Sequence, residues 1–599
     1  MNPLSRFFSR TGAPVVGPSA AGNPVEANPV AASPVGDSPV GDSPVGDSPV
    51  GDSTAAPRTV AANPVAVGIA GGLPVMLLLS CAVALPGCFA GDGDDDDPSL
   101  PPSQYGSYSL GGVLQYDYVP YRSSGGGLNY SGIEQRPIRG VAVYLLDARD
   151  DEVLAETVSG EDGRYQFAYE GPNQVKLWVY AQTDTPDIRI EDNTSRDELY
   201  VLESETVDAT TQTTLDVVAS SGWDGSEYGE ARASAPFAIL DAAYSSARKF
   251  LTETTPPPSF PTLKINWSVD NRPEGGDKSD GEIGTSHWDG EELYILGKEN
   301  VDTDEFDSHV IVHEWGHYFE SNISRADSIG GPHTSGDVLD PRVAFGEGWG
   351  NALSAIILDP DTVYTDSLGY RQGQGFGFDL EANTKSTDSK PGWYSEESVQ
   401  TMLFDLYDGA NESFDTVALG LQPIYTALAG GQKSTDALTT VFSFITVLKG
   451  IDGVPTADVD ALVGYHTADA TYGFNTIADV WGTGESHTGG VSSSLPLYRA
   501  MPVGSSFSVT LTGGTDYNKL SQNRYVTFTG TGGSVKITTT GDKDVDLIVY
   551  RQGEIVGYSA TYSGNESAQV STSSGATYVV NVQGWDEGSG SYSTQVSIQ

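Results

Sequence analysis

Apolar and polar residues alternate in two separate parts of the chain, one before residue 220 and one after residue 503. The alternating apolar positions include Val141, Val143 and Leu145 in the first part and Val545, Leu547 and Val549 in the second. Successive side chains on a strand point to opposite faces of the sheet, so a period of two predicts half-buried strands. We therefore predict β-structure over residues 108–220 and again over residues 503–599.

Residues 231–500 show a helical period instead. Apolar residues recur at three- and four-residue intervals from Phe237 to Ala247, and the triple proline that starts at Pro256 ends this stretch. Two short strand-like runs follow, at 263–267 and 293–296. After them come helical stretches near residues 304–321, 343–358, 396–408, 413–429 and 435–449. Two strands followed by a run of helices predict an α+β domain.

Charge and cysteine content narrow the possible chemistry. The 599 residues carry 31 Lys and Arg against 81 Asp and Glu, which gives a formal charge of −50. We predict no nucleic-acid partner, because phosphate contacts need clustered basic side chains. The two cysteines of the chain are Cys81 and Cys88, so a metal site after residue 88 must use His, Asp or Glu.

The N-terminal region predicts export rather than a folded domain. Residues 1–67 are rich in Pro, Gly and Asp, a composition that predicts disorder. Residues 68–88 are apolar and end in Leu-Pro-Gly-Cys, which resembles a bacterial lipoprotein signal. That resemblance implies a lipid on Cys88, hence a membrane partner and a place in the cell envelope, lipid-anchored or extracellular. A transmembrane anchor is the alternative, although the run is short for one. The acidic residues 89–107 then form a solvated linker.

The candidate chemistry lies in the motif His-Glu-Trp-Gly-His at residues 313–317. Residues four apart on a helix share a face, so His313 and His317 can reach one metal ion. Glu314 projects beside them and can take a proton from a water molecule on that ion. A catalytic zinc also needs a third protein ligand.

The third ligand must come from farther along the chain. The pattern HExxHxxGxxH fails, because positions 320 and 323 are Glu320 and Ile323. Glu347 is the candidate instead, since it lies at an apolar, glycine-lined helix start where a carboxylate needs a partner. His309 lies one turn before His313, but we expect it to hydrogen-bond nearby, because catalytic zinc keeps a position open.

The segments HEWGHYFESNISR and FGEGWGNALSA together resemble the corresponding segments of fungalysin-type peptidases, within the thermolysin-like gluzincins. The resemblance implies a zincin-like domain in which His313, His317 and Glu347 bind Zn2+ and Glu314 is the general base. It also implies a further donor to the developing oxyanion, for which Tyr394 is the candidate and His333 the rival. Asn351 stands where these peptidases usually have an Asp that orients a zinc-bound His.

The flanking β-regions show resemblances of their own. The sequence from PIRGVAVYLLDA to GEDGRYQF resembles a transthyretin-like β-sandwich, and DVDLIVY with TYVVNVQG resembles a pre-peptidase C-terminal domain. The expected architecture is multidomain, with an α+β zincin-like catalytic domain at 231–500 flanked by two β-sandwich domains at 108–220 and 503–599.

Three local features carry further expectations. Asp302 and Glu305 have the spacing of a capping box for the helix that carries the motif. The segment 292–297 is expected to be an edge strand that docks an extended substrate. Three alternating aspartates leave calcium open as a second ion, but they lack the Gly and the bidentate Glu of an EF-hand, which favours a structural role at a strand end. They are Asp542, Asp544 and Asp546.

The expected function is that of a secreted or surface-anchored zinc endopeptidase acting on protein or peptide substrates. Two alternatives stay open at this point. One is a zinc aminopeptidase, which needs a group that binds the free amine of the substrate. The other is a non-catalytic surface adhesion protein built on a peptidase fold. The intact Glu314 argues against this alternative, because a protein without catalytic activity does not need a general base.

Overall fold

The computed structural model describes residues 103–122, 126–382, 390–409, 414–468 and 476–599. The region at 1–67 and the apolar segment that ends at Cys88 lie outside these residues, as does most of the acidic linker. No helix in the described part of the chain is both long enough and apolar enough to cross a membrane. The lipid on Cys88 stays a prediction.

Strands dominate the described chain before residue 220, as the alternating pattern predicts. They are β1 Tyr105–Tyr118, β2 Glu134–Pro137, β3 Val141–Asp147, β4 Val153–Val158, β5 Arg164–Pro172, β6 Gln174–Asp184, β7 Asp187–Asp192, β8 Glu198–Leu199, β9 Val201–Glu203, β10 Val207–Asp208 and β11 Val217–Ala219. Buried and exposed residues alternate along most of β5, with Tyr165, Phe167 and Tyr169 facing the core. This half-buried strand pairs along its length with β1.

The middle of the chain contains short strands and the helices. The helices are α1 Ala235–Glu253, α2 Ser308–Asn322, α3 Pro341–Leu358, α4 Glu396–Tyr407, α5 Leu421–Thr426, α6 Val441–Lys449 and α7 Thr456–Thr467. The strands are β12 Leu263–Trp267, β13 His287–Trp288, β14 Leu293–Ile295, β15 Gly297–Lys298, β16 Asp302–Thr303, β17 Val363–Leu368 and β18 Gln374–Asp379. The helix that carries the HExxH motif is α2, and Glu347 lies on α3.

One sheet crosses the predicted boundary between the N-terminal β-region and the helical region. Strand β12 pairs in parallel with β7, where Ile265 lies opposite Ile190. On its other side β12 pairs in parallel with β14, where Ile265 lies opposite Leu293. All three side chains are buried in one core that also contains residues of α1, α2 and α3. The strands before residue 220 are therefore the scaffold on which the motif helix packs.

Two local expectations for this region are wrong. Segment 292–297 is not an edge strand, because β14 lies between β12 and β13 in the sheet order. The strand at the end of this order is β13, whose two residues are too few to show an alternating pattern. The capping box is also absent, since Asp307 is the N-cap residue of α2 and Asp302 lies in β16. Glu305 instead pairs with Arg232 at 2.5 Å inside the core.

Helix α3 is buried along nearly its whole length, from Pro341 to Ile356, because α2 and α4 pack on it. Glycines permit this close packing. A Cβ atom on Gly316 would lie 3.2 Å from the Cα of Gly350, and one on Gly348 would lie 2.6 Å from Val399. The glycine-rich sequence around Glu347 thus brings α3 close to its neighbours on two sides.

The last hundred residues form a β-sandwich with a core of its own. Its strands are β19 Tyr498–Ala500, β20 Ser505–Thr512, β21 Asn523–Thr529, β22 Ser534–Thr540, β23 Val545–Arg551, β24 Glu554–Ser559, β25 Ser567–Ser571, β26 Thr577–Gly584 and β27 Ser591–Ile598. They make one sheet in the order β19-β21-β26-β23-β24 and another in the order β20-β27-β22-β25. We call residues 498–598 the C-terminal sandwich. The predicted β-structure on both sides of a helical region is confirmed.

The shared sheet predicts that the helical region does not fold without the strands before it. A chain that begins at residue 231 lacks β7, which exposes β12 and apolar side chains worth about 1.5–3 kcal/mol each when buried. We expect residues 103–599 to unfold cooperatively with temperature and the shorter chain to lose this cooperativity, as measured by circular dichroism. Equal melting temperatures for the two chains would show that the helical region is independent.

Candidate metal centre

Three predicted metal ligands converge between α2 and α3. The Nε2 atoms of His313 and His317 lie 3.1 Å apart, one helical turn from each other. The carboxylate of Glu347 reaches both from α3, with its Oε2 atom 3.3 Å from His313 Nε2 and 3.4 Å from His317 Nε2. The three side chains thus form one group of donors that can contact a single ion.

The orientation of His313 is set by hydrogen bonds behind it. Its Nδ1 atom lies 2.7 Å from the side-chain oxygen of Asn351. The side-chain nitrogen of Asn351 donates to Glu396 and to Gln400, each at 2.8 Å. Both amide hydrogens of Asn351 are therefore donated to oxygen atoms, and its amide oxygen accepts a hydrogen bond from His313 Nδ1. Nε2 of His313 then presents a lone pair to the other ligands, as metal binding by a neutral imidazole requires.

Burial and charge make this group unusual. Glu347 is 7% exposed. Burial alone would raise its pKa, but His333 and His317 beside it hold that pKa well below the usual range. Burial alone would lower the pKa of His317, but Glu347 raises it to about 10. Two imidazole nitrogens and one carboxylate oxygen are a donor set that catalytic zinc takes, so the residues fit that ion.

Glu314 lies where α2 meets β13, the strand at the end of the sheet that contains β12 and β14. Its Oε2 atom accepts a hydrogen bond of 3.0 Å from the backbone N–H of Trp288 in β13. Strand β13 pairs with β14 on its other side. The outer side of this strand therefore faces the carboxylate, a contact that the sequence pattern did not predict.

His333 approaches the three ligands from the loop before α3. Its Nε2 atom lies 3.6 Å from Glu347 Oε2 and 3.7 Å from Glu396 Oε2. Its Nδ1 atom lies 3.1 Å from the carbonyl oxygen of Gly331, which orients the ring. The side chain is 29% exposed, so it borders solvent as well as the buried ligands.

Tyr394 has different surroundings. Its hydroxyl lies 2.9 Å from His487 Nε2 and donates to the carbonyl oxygen of Pro391. The residue is 1% exposed. Tyr364 on β17 lies nearer the ligands, with its ring centroid 6.3 Å from that of His313, and the sequence analysis did not single it out. Nothing in the pattern of β17 distinguishes Tyr364 from an ordinary strand residue.

The remaining candidates have structural partners. His309 Nδ1 lies 2.9 Å from Ser354 Oγ, in the buried contact between α2 and α3. Asp546 is 1% exposed and accepts a hydrogen bond of 2.7 Å from the indole of Trp585. This bond gives Asp546 a structural role at the start of β23.

Comparison with known proteins gives one family match. The model of the mycolysin C-terminal domain matches residues 262–459, about a third of the chain. This segment contains α2, α3 and the three converging ligands. No curated protein matches the chain. The family match supports a peptidase-associated protein.

Two solved structures that are similar to this chain each cover a small part of it. The pre-peptidase C-terminal domain of collagenase from Bacillus anthracis is 12% identical, over 17% of this chain and 94% of that chain, with a TM-score of 0.15. The lysozyme inhibitor PliG from Aeromonas hydrophila is 16% identical, over 17% of this chain and 97% of that chain, with a TM-score of 0.14. Neither likeness carries an argument about function.

The hydrogen bonds of Asn351 predict that an aspartate at this position lowers the stability of the fold. Asn351→Asp removes the donor to Gln400 and sets a carboxylate against Glu396. We expect a loss of about 1–3 kcal/mol in the free energy of unfolding, measured by urea denaturation.

A second substitution, Glu396→Gln, tests whether repulsion between the two carboxylates causes this loss of stability. In the double variant Asn351→Asp with Glu396→Gln, the new amide can donate to the new carboxylate, so stability should largely return. The explanation is wrong if Asn351→Asp alone is as stable as the wild type, or if Glu396→Gln restores nothing.

Proposed function

We propose that this protein is a secreted or surface-anchored zinc-dependent endopeptidase. The observation that carries the proposal is the convergence of His313, His317 and Glu347 beside Glu314. The match of residues 262–459 to a mycolysin domain also supports it. The substrates are proteins or peptides, and the proposed place is the bacterial cell envelope or its exterior.

Each residue has a role in this proposal. His313, His317 and Glu347 hold zinc, which when bound acidifies water and polarises a carbonyl oxygen. Glu314 accepts the proton of the attacking water and later returns it to the departing amine. The N–H of Trp288 holds one oxygen of Glu314, which keeps the carboxylate next to the ligands.

The geometry favours His333 over Tyr394 as the donor to the developing oxyanion. Such a donor must reach the substrate, and His333 is partly exposed with Nε2 directed at Glu347. Tyr394 is 1% exposed and its hydroxyl contacts His487. A positioned donor of this kind contributes roughly 10²–10³-fold to acyl-transfer rates.

Substrate docking is assigned to β13 rather than to β14. The backbone N–H of Trp288 points away from β14 and toward Glu314. An extended peptide laid along this outer side brings its scissile bond next to the proposed base. The predicted docking of substrate on residues 292–297 is wrong, because both sides of β14 are paired.

The proposal predicts that Glu314→Gln keeps zinc and loses nearly all hydrolysis. Glutamine has the shape of glutamate but cannot accept the proton, and a general base contributes roughly 10²–10⁴-fold. Zinc per chain by mass spectrometry and cleavage of casein measure the two effects. Glu347→Ala is the matched control, because it should lose zinc as well as activity.

The outcomes separate the alternatives. Activity of Glu314→Gln within about tenfold of the wild type would exclude Glu314 as the base. Unchanged zinc content in Glu347→Ala would exclude Glu347 as a ligand. Release of free amino acids instead of internal fragments would favour an aminopeptidase, and zinc without any hydrolysis would favour a non-catalytic protein.

A further inference from the structure

A short segment of the C-terminal sandwich pairs with the loop that precedes α3. We call residues 517–521, which lie between β20 and β21, the contact segment. The backbone N–H of Leu520 donates to the carbonyl oxygen of Val338 at 2.9 Å. The backbone N–H of Asp340 donates to the carbonyl oxygen of Asn518 at 2.8 Å. Backbone hydrogen bonds therefore join the loop to the sandwich, as they join two antiparallel strands.

The side chain of Asn518 holds the loop on either side of Gly331. Its amide nitrogen donates to the carbonyl oxygen of Gly330 at 3.0 Å and to that of Pro332 at 3.2 Å. The carbonyl oxygen between them, that of Gly331, lies 3.1 Å from His333 Nδ1. Asn518 is 1% exposed, so water does not compete for these bonds. Asn518 therefore fixes the two peptide groups that flank the carbonyl group orienting His333.

The loop has little internal structure to hold His333 in place. Residues 325–334 form neither helix nor strand. Gly330 and Gly331 have φ values of 58° and 102°, a region that glycine enters without steric cost. Two adjacent glycines give the backbone many alternative conformations, so contacts from outside the loop must select one. A Cβ atom on Gly331 would lie 2.9 Å from the amide nitrogen of Asn518, so the close contact itself needs a glycine.

The sandwich fixes the contact segment from its other side. The carbonyl oxygen of Tyr517 accepts a hydrogen bond of 3.1 Å from the side-chain nitrogen of Asn523. The backbone N–H of Lys519 donates to the side-chain oxygen of Gln522 at 2.6 Å. Tyr517 and Ser521, at the two ends of the segment, have φ values of 59° and 66°. Residues other than glycine keep this conformation only where their surroundings enforce it, so the sandwich presents a rigid surface to the loop.

The same sandwich contacts the first turn of α3, the helix that carries Glu347. Asp340 is the N-cap residue of α3 and accepts a hydrogen bond from the hydroxyl of Tyr525 on β21. Arg342 is 1% exposed, and its guanidinium lies 5.1 Å from the centre of the Tyr525 ring. The sandwich thus supports both the loop of His333 and the helix of Glu347, where His333 Nε2 lies 3.6 Å from Glu347 Oε2.

We propose that the contact segment positions His333 beside the metal ligands, so that the C-terminal sandwich contributes to the proposed active site. The catalytic consequence rests on the proposed function, in which His333 is the donor to the oxyanion. Asn518 is a positioning residue, because it acts on His333 through the loop. Misplacing a reacting group by about 1 Å costs on the order of 10²-fold in rate.

Nuclear magnetic resonance of the histidine Cε1 groups tests the position of the ring without any hydrolysis. The chain has seven histidines, so few signals arise from the zinc-loaded protein with Glu314→Gln, which excludes self-digestion. The signal that His333→Ala removes is that of His333. Asn518→Ala should shift or broaden this signal. It should leave the signal of His466 unchanged, because a separate hydrogen bond to Asp405 holds that ring.

Kinetics on casein peptides test the consequence for catalysis. Asn518→Ala should lower kcat on the order of 10²-fold with little change in KM and full zinc content. Lys519→Met removes the 2.6 Å contact of Nζ with the carbonyl oxygen of Pro332, and it should lower kcat by a smaller factor. The double variant Asn518→Ala with His333→Ala should be no slower than His333→Ala alone, because both changes act through one group.

Two control variants separate positioning from stability. Val580→Ala leaves a cavity in the core of the sandwich, so it should lower the melting temperature without lowering kcat well below that temperature. Asn565→Ala changes an exposed residue of the same sandwich and should match the wild type in both measurements.

Several results would overturn the proposal. They are an unmoved His333 signal in Asn518→Ala, an effect of Asn518→Ala that adds fully to that of His333→Ala, and a loss of kcat in Val580→Ala as large as in Asn518→Ala. If Asn518→Ala does not fold, an unchanged kcat in Lys519→Met overturns it. A wild type that binds zinc and hydrolyses no peptide refutes the proposed function instead, while a shifted His333 signal in Asn518→Ala still supports the positioning of the ring.

Discussion

The close packing of α2 on α3 is the contact on which the candidate centre depends. A Cβ atom on Gly350 would lie 2.7 Å from His313 Nδ1, in the space that the imidazole occupies. Gly316 meets the same part of α3 from the other helix. Because neither glycine carries a side chain, the imidazoles of α2 and the carboxylate of Glu347 on α3 come within about one metal coordination shell of each other.

Buried charge surrounds α2 in two chemically different groups. Imidazoles and one carboxylate meet near its middle, and the pKa values of His317 and Glu347 move apart as expected for an ion pair. Asp302, Asp304 and Asp366 meet at its N-terminus, where burial and the charges of the other two raise the pKa of Asp304. The first group suits an ion with nitrogen and oxygen ligands.

The regions on either side contribute directly to the centre. The N-terminal strands continue into β12, β14 and β13, and β13 supplies the N–H that holds Glu314. The C-terminal sandwich supplies Asn518, which holds the loop before His333. Domains that look like independent modules from their sequences therefore share contacts with the helices between them.

The sequence alone predicted the helix that carries the two motif histidines and the β-regions on either side of the helical region. The four-residue spacing of His313 and His317 predicts a shared helix face, and alternation at Val545, Leu547 and Val549 predicts a buried strand. Both inferences need only local periodicity, because side-chain direction along one element follows from backbone geometry.

Tertiary structure alone decided what depends on contacts between distant segments. No local pattern shows that β7 pairs with β12, that Trp288 meets Glu314, or that Asp366 on β17 meets Asp302 and Asp304. The prediction of an edge strand at residues 292–297 was wrong for this reason, because the sheet as a whole decides how many neighbours a strand has. Local periodicity determines the face on which a side chain lies, but only the packed fold determines which residue it meets there.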